Sequence, residues 1–324
     1  MYSQPEDIME KYALTVEQIG RGRGSYICTT DQGMKMLTPF RGSQERAQFL
    51  KVFYGYMNEN GFVMEQIVPT SEGEILVEDD SGVRYLLKDM FAGTESSTRN
   101  WDEMCAVAGE LARYHLASAG CTLEVPEFMR AGRKKILSNY EKHVRELIKV
   151  KNYVRTRRKK NEFEQKFWQQ YPYYITQAQQ AVDFMKDSSP EQGEYLLCHG
   201  DFNHHNVLRT NKGYQIIHFE HLEYNYAITD LANYLRKMME KNNWRVELGE
   251  EIISAYDKVR PITGYEYRLL YIMLCFPEKF WKIANHYSNS HKAWLSGRDL
   301  EKLDKVIAQE QTKSEFMEKL FSFS

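Results

Sequence analysis

Eight consecutive positions, 199 to 206, hold five side chains able to do chemistry: His199, Asp201, His204, His205 and Asn206. The apolar run Tyr195–Cys198 before them reads as a buried strand. Val207-Leu208 resumes a strand, Asn211-Lys212-Gly213 makes a turn, and Tyr214–Ile217 is a second strand. His218 and Glu220 come next, and Asp230 opens an apolar helical stretch. Two strands thus bring two clusters of ligand-type groups to one edge, a geometry that suits a metal–phosphate site. The histidines His199, His204, His205, His218 and His221 raise zinc as an alternative, but their spacings fit no usual structural zinc site. Loop histidines are more often solvated or hydrogen-bonded.

The spacing His199-x-Asp201, with Asn206 five residues after the aspartate, resembles the catalytic loop of protein kinases and of the aminoglycoside and choline phosphotransferases. That resemblance implies Asp201 as the base for an attacking hydroxyl and Asn206 as a magnesium ligand. A cation bridging the phosphates is what such chemistry needs. His199 heads the loop as a scaffold residue, its ring free to bond backbone near His218. Asp230 has a scaffolding role too, accepting N–H bonds from the His199-Gly200 turn or capping its own helix. In an active relative the next strand ends in the main magnesium aspartate. Here that position is His218, and neutral imidazole is a poor ligand for a hard, oxygen-preferring ion. Glu220, two residues on, is the remaining carboxylate for a metal.

The elements that must position these residues suggest an α+β, two-lobed, protein-kinase-like fold. Residues 1–92 form a small antiparallel N-lobe with one helix, and residues 93–324 form a larger, mainly helical C-lobe holding the catalytic-loop equivalent 195–234. Residues 7–19 read as a short amphipathic helix and strand entry. The run Gly20–Gly24 is a turn that could cover phosphates through Gly22 and Gly24, although hairpin glycines more often just permit positive φ. On the strand Met34–Leu37 the phosphate lysine of an active enzyme would fall at Thr38. Lys35 sits three residues early and reads as a solvated edge charge. Pro39 argues against an interior strand continuing there. Residues 43–60 form a helix capped at Ser43 and stopped by Gly61, with Phe49, Leu50, Phe53 and Met57 as its buried stripe. Strand-like runs follow at 62–68, 74–78 and 83–89. An adenine would bond to backbone near Asp89 and Phe91, in the link 88–93.

Trp101–Ala119 is an amphipathic helix with Met104, Val107, Ala108, Leu111, Tyr114 and Leu116 on one side. The basic run 155–160 reads as a solvated turn between exposed helices, and Tyr171–Lys186 as the next helix. Further helices are expected near 230–242, 246–258, 264–289 and 297–319. The chain has 324 residues, 42% of them hydrophobic and 27% charged, enough for a sizeable core and two lobes. A net charge of -2 argues against a general nucleic-acid binder. No apolar run approaches the ~20 residues of a membrane span, and the first residues lack a signal pattern. The five scattered cysteines read as reduced core thiols of an intracellular protein.

Further motifs narrow the resemblance. Thr30-Asp31-Gln32-Gly33 with Phe40-Arg41-Gly42-Ser43, the run Ala112–Ser118, Cys198-His199-Gly200-Asp201, and the C-terminal Phe276–Tyr287 together resemble the CotS-type spore coat proteins of endospore-forming bacteria. The resemblance covers nearly the whole chain. It implies a protein made in the mother-cell cytoplasm and placed in the spore coat, with other coat proteins as partners, and ATP and magnesium as cofactors if it is active. The departures at His218 and Thr38 point instead to a degenerate kinase-like protein that works by binding. The alternative is an ATP-dependent phosphotransferase acting on a small molecule or a protein, with Asp201 as base.

Overall fold

The computed structural model describes residues 5–130, 132–188, 193–289 and 296–322. They divide into two compact units. The first gathers the chain up to Ser97 together with 116–124 and 199–222. The second holds 98–115, 125–198 and the chain from Glu223 onward.

The first unit begins with helix α1 (Pro5–Met9) and strands β1 (Val16–Arg21), β2 (Tyr26–Thr30) and β3 (Gly33–Pro39). Helix α2 (Gln44–Glu59) is followed by β4 (Ile67–Val68), β5 (Val77–Glu78) and β6 (Arg84–Asp89). The sheet order is β1-β2-β3-β6-β4, all antiparallel, with β5 also on β6. The core behind it joins Cys28, Leu37, Tyr85 and Leu87 to Ile8, Met9 and Tyr12 from the N-terminal segment. Ser43 caps α2 by accepting from Arg46 N (3.2 Å), and Gly61 ends it at φ +85°. Phe49, Leu50, Phe53 and Met57 are buried, so the helix has its expected stripe.

Two local expectations are corrected. The run 62–68 becomes a strand only at its end, because Asn58 draws the chain after α2 into a loop, its Oδ1 accepting from Met64 N (3.0 Å). Lys35 is not a solvated edge charge. β3 lies between β2 and β6, which sets Lys35 opposite Asp89, and the buried ammonium bonds Asp89 Oδ1 (2.7 Å) and Gln32 O (2.8 Å). The unit also contains a small sheet of β7 (Thr94–Glu95), β9 (Val207–Thr210) and β10 (Gly213–Ile216), in the order β10-β9-β7.

In the second unit β8 (Tyr195–Cys198) pairs antiparallel with β11 (Glu223–Tyr226). Helix α3 (Trp101–Ala119), which belongs to this unit up to His115, buries Met104, Val107, Ala108, Leu111 and Tyr114 as expected, but Leu116 is 48% exposed. Helices α4 (Gly132–Thr156) and α5 (Glu162–Asp187) flank the basic turn. A reciprocal cap between Asn161 and Glu164 starts α5 at Glu162, nine residues earlier than Tyr171, where a helix was expected. It continues through Pro172, since Phe163, Phe167, Tyr171 and Tyr174 form one buried aromatic stripe across the proline. Then come α6 (Ile228–Lys241), α7 (Val246–Asp257), α8 (Gly264–Cys275), α9 (Glu278–Asn289), α10 (Ser296–Ala308) and α11 (Glu310–Phe321). The single helix expected over 264–289 divides into α8 and α9 at Phe276-Pro277, where proline disfavours helical backbone at the residue before it. The stretch 297–319 likewise divides, at Gln309, whose side-chain amide bonds Glu240 O and Asn243 Oδ1.

Candidate functional site

Within the first unit, residues 199–222 form a loop, a hairpin and a second loop. His199 is fully buried. Its Nε2 lies 2.8 Å from Ile217 O, and Asp201 N donates to its Nδ1 (3.2 Å). One tautomer satisfies both contacts, with the proton on Nε2. Gly200 takes φ +80° and passes so close to His221 that a Cβ would lie 2.0 Å from the His221 carbonyl oxygen. Asn203 Nδ2 and Asn206 Nδ2 both donate to Asp201 O, at 2.8 and 2.9 Å. Ile217 N donates to Asn206 O (2.9 Å), fastening the loop to the strand that leads to His218. Asp201 and Asn206 are therefore brought together, the asparagine amide holding the main chain of the aspartate.

The second loop does not continue the strand. His218 stands in the left-handed region (φ 66°, ψ 53°), and Phe219–His221 form a 3₁₀ turn. A non-glycine residue costs about 1–2 kcal/mol in that conformation, so the surroundings must hold it. Glu65 does so from the loop before β4, its carboxylate accepting from His218 N (2.9 Å). From α2, Arg46 Nη1 donates to Leu222 O (2.8 Å).

Glu220 comes from this turn rather than from a strand end, so strand alternation does not place it. Its carboxylate is bonded by the ammonium of Lys88, and its other oxygen lies 3.7 Å from His218 Nδ1. The Lys88 ammonium also lies 3.1 Å from Glu65, and the lysine side chain is 0% exposed. Burial alone would push the Glu220 carboxyl up, but Lys88 and then His218 hold it well below the usual carboxylate range. Burial would likewise push the Lys88 amine down, and Glu220 and Glu65 together hold it above its ordinary value.

The remaining candidates spread out. The glycine-rich turn between β1 and β2 closes through Gly22 N to Ser25 O (2.9 Å), with Gly24 at φ +68°. Its Arg23 reaches His205 Nε2 (2.9 Å) and Glu95 (3.6 Å), and His205 Nδ1 meets Glu95 Oε2 at 2.5 Å. Asp89 is occupied by Lys35, and Phe91 is half-buried. Thr38, expected at the phosphate-lysine position, has a buried hydroxyl without a hydrogen-bond partner. Asp230 belongs to the second unit, where its Oδ2 faces His115 Nε2 at 3.2 Å while His115 Nδ1 meets the Tyr256 hydroxyl at 2.6 Å. Sequence reasoning missed Lys88, Glu65, Arg46 and Arg23. The available signal was a charge inside an apolar run, in Phe62–Val68 and again in Val83–Asp89.

Known proteins give the same picture. Residues 5–320 match a family profile described as "Spore coat putative kinase YutH". The chain belongs to this family. Similar curated proteins include Spore coat protein S of Bacillus subtilis (strain 168), 26% identical over 97% of this chain and 93% of the relative. Endospore coat-associated protein YutH of the same organism is 26% identical over 93% of this chain and 87% of the relative. Among solved structures, an aminoglycoside phosphotransferase from Alicyclobacillus acidocaldarius superposes with a TM-score of 0.81 at 20% identity, covering 99% of this chain and 96% of that one. An amicoumacin kinase, hAmiN, gives 0.65 at 14% identity, over 96% and 92%. The spore coat YutH family thus has, in this member, the kinase-like α+β fold that its motifs imply.

The donor set does not suit the magnesium ion of that fold. His218 offers nitrogen to an ion that prefers oxygen. Glu220, the carboxylate nearest to it, is already neutralised by an ammonium.

Proposed function

We propose that this chain is a component of the bacterial spore coat or of its assembly, a kinase-shaped scaffold that works by binding other coat proteins rather than by transferring phosphate. Two coat-associated relatives matching almost end to end support the setting. On this reading the chain is made in the mother-cell cytoplasm and joins the coat. The observation that carries the non-catalytic half is the double substitution: imidazole of His218 at the metal position, and the hydroxyl of Thr38 at the phosphate-lysine position. An enzyme lacking both holds would forgo several kcal/mol of transition-state stabilisation, a rate loss of many powers of ten. His199 and Asp230 then act as framework, and Gly22, Gly24, Asp89 and Phe91 hold no nucleotide. The test is a thermal-shift titration of the full chain with ATP, with and without magnesium or manganese. A nucleotide that binds only the folded state must raise the melting temperature with concentration. No shift at millimolar ATP is expected; a metal-dependent shift would refute the scaffold reading.

One observation favours a second reading. Asp201 and Asn206 keep both their spacing and their hydrogen bond (2.9 Å). In a phosphotransferase Asp201 would take the proton of an acceptor hydroxyl, with Asn206, Glu220 and the substituted His218 as the groups nearest a cation. Phosphate transfer by the natural protein, lost in Asp201→Asn, would establish it.

A further inference from the structure

In protein kinases a lysine of the third strand pairs with a glutamate of the following helix, while metal ions are held separately by the aspartate and asparagine of the two loops. This chain has neither partner of that pair in place. The third strand offers Thr38, and the buried residues of α2 are Ala47, Phe49, Leu50, Phe53, Tyr54 and Met57, with no acid among them. A different arrangement stands one strand over. Met36 of β3 is paired with Lys88 of β6, so the ammonium leaves the sheet on the face where Met36 and Thr38 lie. It ends between Glu220 and Glu65, with which it forms two ion pairs. Burial leaves no water to share that charge, since the side chains of Lys88 and Glu65 are 0% and 1% exposed.

The geometry points to Lys88 as the molecule's own permanent cation, an ammonium that takes over the work of a bound divalent ion at this place and closes the site to one. The inference rests on the scaffold reading and gives it a cause. A buried carboxylate (Glu65, 1% exposed) within reach of a second, largely shielded one (Glu220, 15% exposed) requires a positive charge between them. In this protein a covalently attached ammonium supplies it. Through Glu65 the same ammonium also steadies the left-handed His218, because Glu65 accepts from His218 N while it faces Lys88. An ammonium needs no hydration shell removed at each binding event and cannot dissociate. The turn is thus held in one state whether or not metal is present.

The corollary is that removing the ammonium leaves a pocket of carboxylate oxygens, the donor type that calcium and manganese accept. The test uses the full chain as wild type, Lys88→Ala, and Lys88→Ala with Glu220→Gln, melted in chelator or in excess manganese, without nucleotide. Wild type should melt at the same temperature in both. Lys88→Ala should melt lower in chelator and gain about 4 °C at a hundredfold excess of manganese over its dissociation constant. Adding Glu220→Gln should abolish the gain. If Lys88→Ala does not fold in chelator, recovery of folded protein on refolding with manganese supports the proposal, and no recovery overturns it. Equal melting of Lys88→Ala in chelator and manganese also overturns it, as does a wild-type manganese shift that Glu220→Gln removes. Phosphate transfer by wild type would sink the scaffold reading yet leave the metal response of Lys88→Ala unchanged, so the two failures are distinguishable.

Discussion

Gly200, between His199 and Asp201, gives the sharpest structural prediction. Its backbone has φ +80°, and a Cβ built on it would lie 2.0 Å from the His221 carbonyl oxygen and 2.9 Å from the carbonyl carbon. Two costs follow for Gly200→Ala. A left-handed non-glycine residue costs about 1–2 kcal/mol. Forcing backbone apart by an ångström or more costs about 1–3 kcal/mol further, the range for overpacked sites. The sum is about 2–5 kcal/mol. The control is Gly33→Ala in the turn between β2 and β3, where φ is +88° and nothing lies within 4 Å of the added Cβ. It carries the first cost alone. With an unfolding entropy near 2.1 cal/mol/K per residue, a chain this long shifts by roughly 1.5 °C per kcal/mol. Gly200→Ala should therefore lower the melting temperature by about 3–7 °C and Gly33→Ala by about 2 °C, read by calorimetry on matched samples. If the two variants melted within a degree of each other, the close approach of the two loops would not exist as described.

Other expectations follow from the second unit. Burial holds the His115 imidazole below its ordinary value, against the pull of Asp230, so the unfolded chain takes up the proton first as pH falls. Its contribution is fully present above the unfolded value of about 6.5 and is lost below it; the urea midpoint should drop from pH 7 to 5, and the gap between wild type and His115→Gln should narrow over the same interval. Arg260 is 5% exposed and bonds Glu266 and Glu194 at 2.8 Å each. Arg260→Met leaves Glu266 buried and unpaired and should cost about 3–5 kcal/mol in denaturant unfolding, whereas Arg260→Met with Glu266→Met should cost much less.

The fold was legible where local chemistry and periodicity agree. Ser43, the apolar stripe of α2 and Gly61 mark a helix at both ends and along one face, and the structure keeps all three. The hairpin at Asn211-Lys212-Gly213 was equally readable, with Gly213 at φ +116°. Prediction failed where a tertiary partner overrides the pattern. Pro172 would end an isolated helix, but the aromatic stripe from Phe163 to Tyr174 is buried on both sides of it and carries α5 through. Pro277, with Phe276 before it in an extended conformation, does end α8. Lys35 looked solvated because strand order is not written in the strand itself; only β6 on its open side, with Asp89 directly opposite, makes it a buried, paired ammonium.

Strand order also hides Lys88. A search for the phosphate lysine looks along one strand, and along that strand Thr38 is simply a loss. In an antiparallel sheet, however, residues paired across two strands project to one face with their Cβ atoms about 5 Å apart, and a lysine side chain spans more than that distance. An ammonium can therefore be delivered to the same region from β3 or from β6, provided that a carboxylate waits where it arrives. Glu65 could not be recognised as that carboxylate, because its segment reads as a strand, and a strand at 62–66 would fix its direction by alternation alone. The loop imposed by Asn58 instead frees Glu65 to face both Lys88 and His218. With an ammonium already seated on Glu220, an aspartate at 218 would add a third carboxylate to a cluster that already sets one cation against two. Histidine, 3.7 Å from Glu220, brings no further carboxylate to that cluster.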